Sequence, residues 1–317
     1  MNQKLPWLQV EQLETRFTPS CLISGTTTLT ITGDGGDNDL FILDDGDAEI
    51  SVHCDGVDTT HSDVSRVIVR TGDGYDVVDY WLTDPLTTPR SLLLDLGTLD
   101  DDAELTFSDG VSIDATMSVT MRGGPGSDLI SASVGFVNAR ATFTLDGQAG
   151  EDFIDLSFDA DLTGVVTVNL RGGDGPDELC LCSPAVVGFE VFDSARVIAT
   201  LDGGPGDDII STALEEIVLD TRVTLRLIGG AGNDDILAFA SLSDFSSTER
   251  AYTLFISGGA GNDRLAVVLN DPAELGHRIT VDGGVGTDAL YTGSEFESGL
   301  EQVTIRGVED TLDNWFV

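Results

Sequence analysis

Gly229-Gly230-Ala231-Gly232-Asn233-Asp234-Asp235-Ile236 and Gly258-Gly259-Ala260-Gly261-Asn262-Asp263-Arg264-Leu265 carry one pattern: Gly-Gly-x-Gly-x-Asp, then an aliphatic residue two places on. The full hexapeptide also occurs with Gly123, Gly124, Gly126 and Asp128, with Gly172, Gly173, Gly175 and Asp177, and with Gly203, Gly204, Gly206 and Asp208. A last full copy has Gly283, Gly284, Gly286 and Asp288. Thr71 to Asp76 and Gly147 to Asp152, the latter keeping Gly150, each depart at one position; Gly33 to Asn38 departs at two. Chance at this composition gives about 0.06 full copies, so the repeat is a structural signal.

The residue two places after the sixth position is Leu40, Val78, Ile130, Ile154, Leu179, Ile210, Ile236, Leu265 or Leu290, which implies one column of a shared core. Apolar or alternating runs such as Leu29-Thr30-Ile31, Val67-Ile68-Val69 and Leu254-Phe255-Ile256 precede the turns with the two-residue period of a half-buried strand. The unit is strand, glycine turn, strand. Steps between sixth positions are 38, 52, 24, 25, 31, 26, 29 and 25 residues. The step of 52 is two periods, so a coil with an eroded turn is expected at Leu92 to Asp102. The step of 38 holds extra residues that read as a hairpin insertion, about 48–63, projecting from the first coil. A constant turn at a near-constant period predicts an all-β, parallel β-solenoid of about ten coils, with its glycine turns on one side. The expected organisation is a sorting or capping segment at 1–22, the solenoid over 23–317 and a C-terminal cap at about 300–317. Leu5 to Phe17 and Trp315-Phe316 are candidate covers for the open ends.

Composition narrows the function. The net charge of −41, from 41 Asp and 15 Glu against 15 basic residues, repels nucleic acid and anionic lipid and makes cations the natural partners. Lys4 is the only lysine, and His53, His61 and His277 the only histidines, so little is available for base or Schiff-base catalysis. Neither His-Glu-x-x-His nor Gly-x-Ser-x-Gly occurs. Cys21, Cys54, Cys180 and Cys182 show no Cys-x-x-Cys spacing and are too sparse for a disulfide scaffold; Cys180 and Cys182 share one strand face about 6.5 to 7 Å apart, at or beyond the disulfide limit, and read as buried thiols. No run of 18 apolar residues occurs, and the first twenty lack a signal-peptide pattern, which also argues against lipidation of Cys21.

The motif chemistry points to a metal. Glycines at the first, second and fourth positions permit a turn that aims carbonyl oxygens at one place, and the sixth-position carboxylates, Asp76, Asp128, Asp152, Asp177, Asp208, Asp234, Asp263 and Asp288, add charge. Calcium accepts six to eight such oxygens, magnesium demands a stricter octahedron, and zinc prefers the His or Cys that the motif lacks. A solenoid corner alone needs glycine but no aspartate, so Ca2+ is the expected ligand. If adjacent turns share one ion, the copies hold at most about eight, leaving a net charge of about −25.

Gly230 to Asp234 and Gly259 to Asp263 resemble the RTX, or hemolysin-type, calcium-binding repeat, and the resemblance extends over about residues 30 to 290. It implies a calcium-loaded β-roll of an exported protein and hence an extracellular or bacterial cell-surface location. The departure is that this chain carries one motif per period, so metal is expected on one side only. Val10-Glu11-Gln12-Leu13-Glu14-Thr15-Arg16-Phe17-Thr18-Pro19 is similar to a Leu-Glu-x-Arg element of large bacterial surface proteins; helical spacing of Trp7, Val10, Leu13 and Phe17 reads equally as a cap. Three functions compete. A structural or adhesive surface protein displaying loops near Pro85, Pro184 and Pro272, with surface glycans or proteins as partners, fits all of these features. The runner-up is a secreted carbohydrate-active or other enzyme with its site on one solenoid face. Ice binding would need a threonine array, and the threonines between Thr26 and Thr30 do not recur at the period.

Overall fold

The computed structural model describes residues 21–47, 49–182, 195–217, 221–242, 252–270, 277–293 and 303–311. It is all-β: two long parallel sheets of twelve and thirteen strands face each other across one core. The chain passes from a strand of the first sheet, through a glycine turn, into a strand of the second. It then returns by a third side, where short runs such as Ser112–Ile113 and Phe136–Val137 also pair in parallel. Among the described residues the two long strands repeat coil after coil, so each meets its own copy one period later. Arg140–Ala149, for example, pairs in parallel with Met117–Pro125 before it and Val165–Asp174 after it.

Alternation produces the core. Inward positions stack into columns: Leu29, Val67, Leu92, Val119, Phe143, Val168, Ala199, Leu225, Leu254 and Ile279 stand in register in the first sheet, and all are buried. The column anticipated from the motif, Leu40 through Leu290, is its counterpart in the second sheet, with Ala103 filling the coil whose turn is eroded. Leu86, Ile113, Val137 and Leu162 form a third buried column by parallel pairs and bridges. At close packing, each column transfers apolar surface from water continuously along the axis.

Several expectations are corrected. The hairpin exists, as antiparallel strands Ile50–Cys54 and Val57–His61 around Asp55-Gly56, whose positive φ values of 44° and 84° suit a tight turn. It does not project, however. Ile50–Cys54 pairs antiparallel with Asp39–Asp44, so the hairpin extends the second sheet and covers its first edge. Leu22–Ser24 covers the first sheet's edge in the same way, and the Cys21–Cys54 disulfide ties the two covers together. Cys180 and Cys182 are also bonded, with Cα atoms 5.7 Å apart, and they face outward half-buried; the strand is compressed enough to bring them within bonding range. Of the expected C-terminal cap, the described residues 303–311 carry Val303–Arg306 and Asp310–Thr311, which pair in parallel with the coil before. The segment 1–20, Pro184, Pro272 and Trp315-Phe316 lie outside the described residues.

The threonines between Thr26 and Thr30 do not recur in the next coil, where Arg66 and Ile68 stand in register with Thr28 and Thr30, but hydroxyl-bearing residues line up further along. Register aligns Ser118, Thr142 and Thr167, and beside them Thr120, Thr144, Asn169 and Thr200, on the outer face of the first sheet. Ile198 interrupts one row, and Arg226, stacked 4.6 Å from the Phe255 ring, interrupts the other. Between the two sheets, Arg90 of the first and Asp44 of the second make a fully buried ion pair, Nε to Oδ2 at 2.6 Å and Nη2 to Oδ1 at 2.8 Å. The Tyr80 hydroxyl donates to the same carboxylate.

Candidate cation site along the glycine turns

The turns differ from their sequence reading in one respect that controls the site. Positive φ occurs at the second glycine of every full copy and at the fourth of all but Gly126, for example Gly204 at 109° and Gly206 at 154°, and never at the first. The first glycine is needed for space. A Cβ on Gly203 would stand 2.2 Å from Oδ2 of Asp208, and the same holds for Gly123 against Asp128, Gly172 against Asp177 and Gly258 against Asp263. The sixth-position side chain folds back over the first residue of its own turn.

From there each carboxylate reaches the neighbouring coil. Oδ1 accepts the backbone N–H of the sixth-position residue one coil earlier: Asn38 to Asp76 at 2.7 Å, Asp128 to Asp152, Asp152 to Asp177, Asp177 to Asp208, Asp208 to Asp234 and Asp234 to Asp263 at 2.9 Å, and onward to Asp288. The result is an unbroken ladder along one side of the solenoid. It supplies what sequence reasoning denied, a reason for aspartate at a corner without metal: the buried N–H needs an acceptor from the next layer.

Two members were missed. Asp101 takes the sixth position of the eroded turn, accepting from Asp76 and donating its own N–H to Asp128. The signal was present in Asp100-Asp101-Asp102, but without glycine at the first position the register was ambiguous; Leu99 itself adopts a φ of 77° where the fourth glycine belongs. Glu309 ends the ladder, its Oε2 accepting the N–H of Asp288 at 2.9 Å. No hexapeptide marks it.

The other carboxylate oxygen carries the chemistry. Oδ2 of Asp101, Asp128, Asp152, Asp177, Asp208, Asp234, Asp263 and Asp288 is buried and has no hydrogen-bond partner among the described residues. Burial pushes most of this row up, to about 7 at Asp101, Asp177 and Asp234, to about 6 at Asp128, Asp152 and Asp208, and above the ordinary carboxylate range at Asp263. The donated N–H opposes the rise only in part, and neighbouring carboxylates add to it.

A hard cation fits this environment. At Gly229, the space a Cβ would fill is bounded by Asp234 Oδ2 at 2.2 Å and by the carbonyl oxygen of Gly258 from the next coil at 2.5 Å; at Gly258, Asp263 Oδ2 and the Gly283 carbonyl do the same. Carboxylate and carbonyl oxygens of successive coils thus converge, as a calcium shell requires. Side chains contribute one carboxylate per coil. Clusters of three ligating side chains occur among the described residues only at Cys21, Cys54 and Asp55 and at Asp155, Cys180 and Cys182, so carbonyls must supply most of any calcium shell.

Beside the turns runs an acidic groove of about 620 Å³. Leu129, Phe153 and Ile209 expose apolar surface along it, and Asp102, Glu151 and Asp207 line its banks. The chain matches no protein-family model and no curated protein.

Proposed function

We propose that the chain is a calcium-binding, structural or adhesive solenoid of an exported protein, of the RTX-like kind. The observation that carries this reading is the file of buried, partnerless Oδ2 atoms: an ionised oxygen in that position costs several kcal/mol unless a proton or a cation meets it. Calcium, which takes carboxylate and carbonyl oxygens together, answers every layer at once, and the residues that would hold it are the sixth-position aspartates with the glycine carbonyls of the adjacent coil. Bound there, it would neutralise the ladder and join coil to coil. Two disulfides support an oxidising, extracellular setting. The acidic groove gives a displayed surface suited to cationic or calcium-bridged partners, glycans among them.

A second reading has its own support. Because Oδ1 of each aspartate is already engaged and burial raises the carboxyls, protons alone can neutralise the ladder, leaving a metal-free rod. Equilibrium dialysis against calcium at pH 7.5, with excess magnesium present, separates the two. Calcium-specific uptake of several ions per chain is expected; a folded protein that takes up none establishes the proton-bearing ladder.

Asp208→Asn sharpens the test. Asn38 already occupies this position in the first turn, buried and with its own N–H bonded onward, so an amide fits. The variant should keep the acceptor for Asp177 and stay within about 1 kcal/mol of the parent without metal. Dialysis should show it binding one or two fewer calcium ions. Unchanged stoichiometry would remove Asp208 from the ligand set.

A further inference from the structure

The Cys180–Cys182 bond has no evident structural purpose. Cys21–Cys54 closes a separation of 33 residues and joins two edge covers, whereas Cys180–Cys182 closes a separation of 2 within one strand, Glu178–Cys182, already fixed by parallel partners on both sides. So short a loop restricts the unfolded chain very little. The two cysteines face outward on the second sheet, and every neighbour in register is small or acidic: Asp155 beside Cys180 on one strand and Ser211 on the other, Ser157 and Ala213 beside Cys182. All these positions are half-buried rather than sealed. Neither cysteine is sealed in the core, and among the described residues the in-register neighbours place no bulky side chain beside them.

Asp155 completes a ligand set. Its carboxylate and the two sulfurs lie within 4.8 Å of one another. Zinc-class ions bind thiolate at about 2.3 Å and carboxylate at about 2.0 to 2.2 Å in a tetrahedral shell, which three protein ligands and a water complete. The aspartate ladder cannot compete for such an ion, because soft thiolates select it and hard oxygens select calcium.

We propose that Cys180, Cys182 and Asp155 form a redox-gated site for one soft divalent cation of the zinc class. The disulfide is the closed form. An external dithiol opens it by exchange: the dithiol becomes a cyclic disulfide, its two electrons and two protons passing to Cys180 and Cys182 as two thiols. The cation then binds both sulfurs as thiolates and Asp155 as carboxylate, releasing two protons. The site is independent of calcium in the turns.

The test uses the full chain, folded in calcium, treated briefly with a dithiol and then freed of it under argon. Cobalt(II) is added as a spectroscopic probe, zinc(II) as competitor, and peptide-resolved alkylation separates Cys180 and Cys182 from Cys21 and Cys54. A thiolate-to-cobalt absorption band displaced by one equivalent of zinc is expected, with at least tenfold protection of Cys180 and Cys182 from alkylation. Cys180→Ser should abolish the band, and Asp155→Asn should weaken zinc binding at least tenfold while leaving the melting temperature unchanged. Alkylation of both cysteines at the same rate with and without zinc overturns the site, as does a disulfide that resists the dithiol until the protein unfolds. Equal zinc affinity in Asp155→Asn overturns the three-ligand set.

Discussion

Gly232→Ala is expected to unfold the protein or cost more than about 4 kcal/mol, whereas Gly56→Ala should cost about 1 to 2 kcal/mol. Both glycines have positive φ, 146° and 84° respectively, so both substitutions carry the left-handed penalty. They differ in what the new methyl meets. At Gly232 it would stand 1.7 Å from the carbonyl oxygen of Gly206 and 2.4 Å from its carbonyl carbon; at Gly56 nothing lies within 4 Å. The obstacle at Gly232 is backbone of the preceding coil, held by the strand pairs on either side of the turn, so relief requires the coils to part. Since a domain is stable by only about 5 to 15 kcal/mol, such a loss is a large fraction of the total. Chemical denaturation of the two variants side by side measures it. Equal stability would mean that the coils are not packed turn on turn.

The second large effect is the pH dependence of stability, and its sign should depend on calcium. Six ladder carboxyls, Asp101, Asp128, Asp152, Asp177, Asp208 and Asp234, are raised by burial to between about 6 and about 7, against about 3.9 in an unfolded chain. Between those values the folded protein holds more protons than the unfolded one, so this contribution is complete below pH 4 and is lost as pH rises through 6 to 7. With chelator present, the protein should therefore melt higher at pH 5 than at pH 8, by at least the 1.4 kcal/mol that one pKa unit on one group represents. The net charge of −41 pushes the same way, because self-repulsion eases as acids protonate. Saturating calcium should reverse or flatten the slope. It binds the ionised carboxylates, competes with protons, and stabilises by about 2.7 kcal/mol per ion at a hundred times its dissociation constant. Circular dichroism melts across pH 5 to 8, with calcium, with magnesium and with chelator, read all three curves. A metal-free protein that gains stability on going to pH 8 would contradict the buried, raised carboxyls. Identical curves with and without calcium would leave protons as the ladder's only neutralising partner.

Much of this was legible in the residues themselves. The hexapeptide spacing dictates that equivalent residues stack, the two-residue alternation dictates which side of each strand is inside, and together they fix parallel register and the column from Leu40 to Leu290. Even the coil without a proper turn was readable from Leu92 to Asp102, because apolar patterning persists where glycines are lost. These features are local or strictly periodic, and a sequence displays both directly.

What remained depended on neighbours 21 to 38 residues away. Only the assembled turns show that Asp208 leans back over Gly203 and takes the N–H of Asp177, so that the first glycine provides space rather than dihedral freedom. Glu309 joins the ladder because its longer side chain reaches Asp288 from a turn of different shape, which no motif can announce. The hairpin's place was decided by an open sheet edge, and the partners of the cysteines by strand placement and compression, quantities that exist only once the coils have stacked. The sequence by itself determined the period, the inward face and the residue types at each turn; tertiary structure decided which oxygen is bonded and which is left buried and partnerless, because hydrogen bonding in a solenoid is settled between coils and not within them.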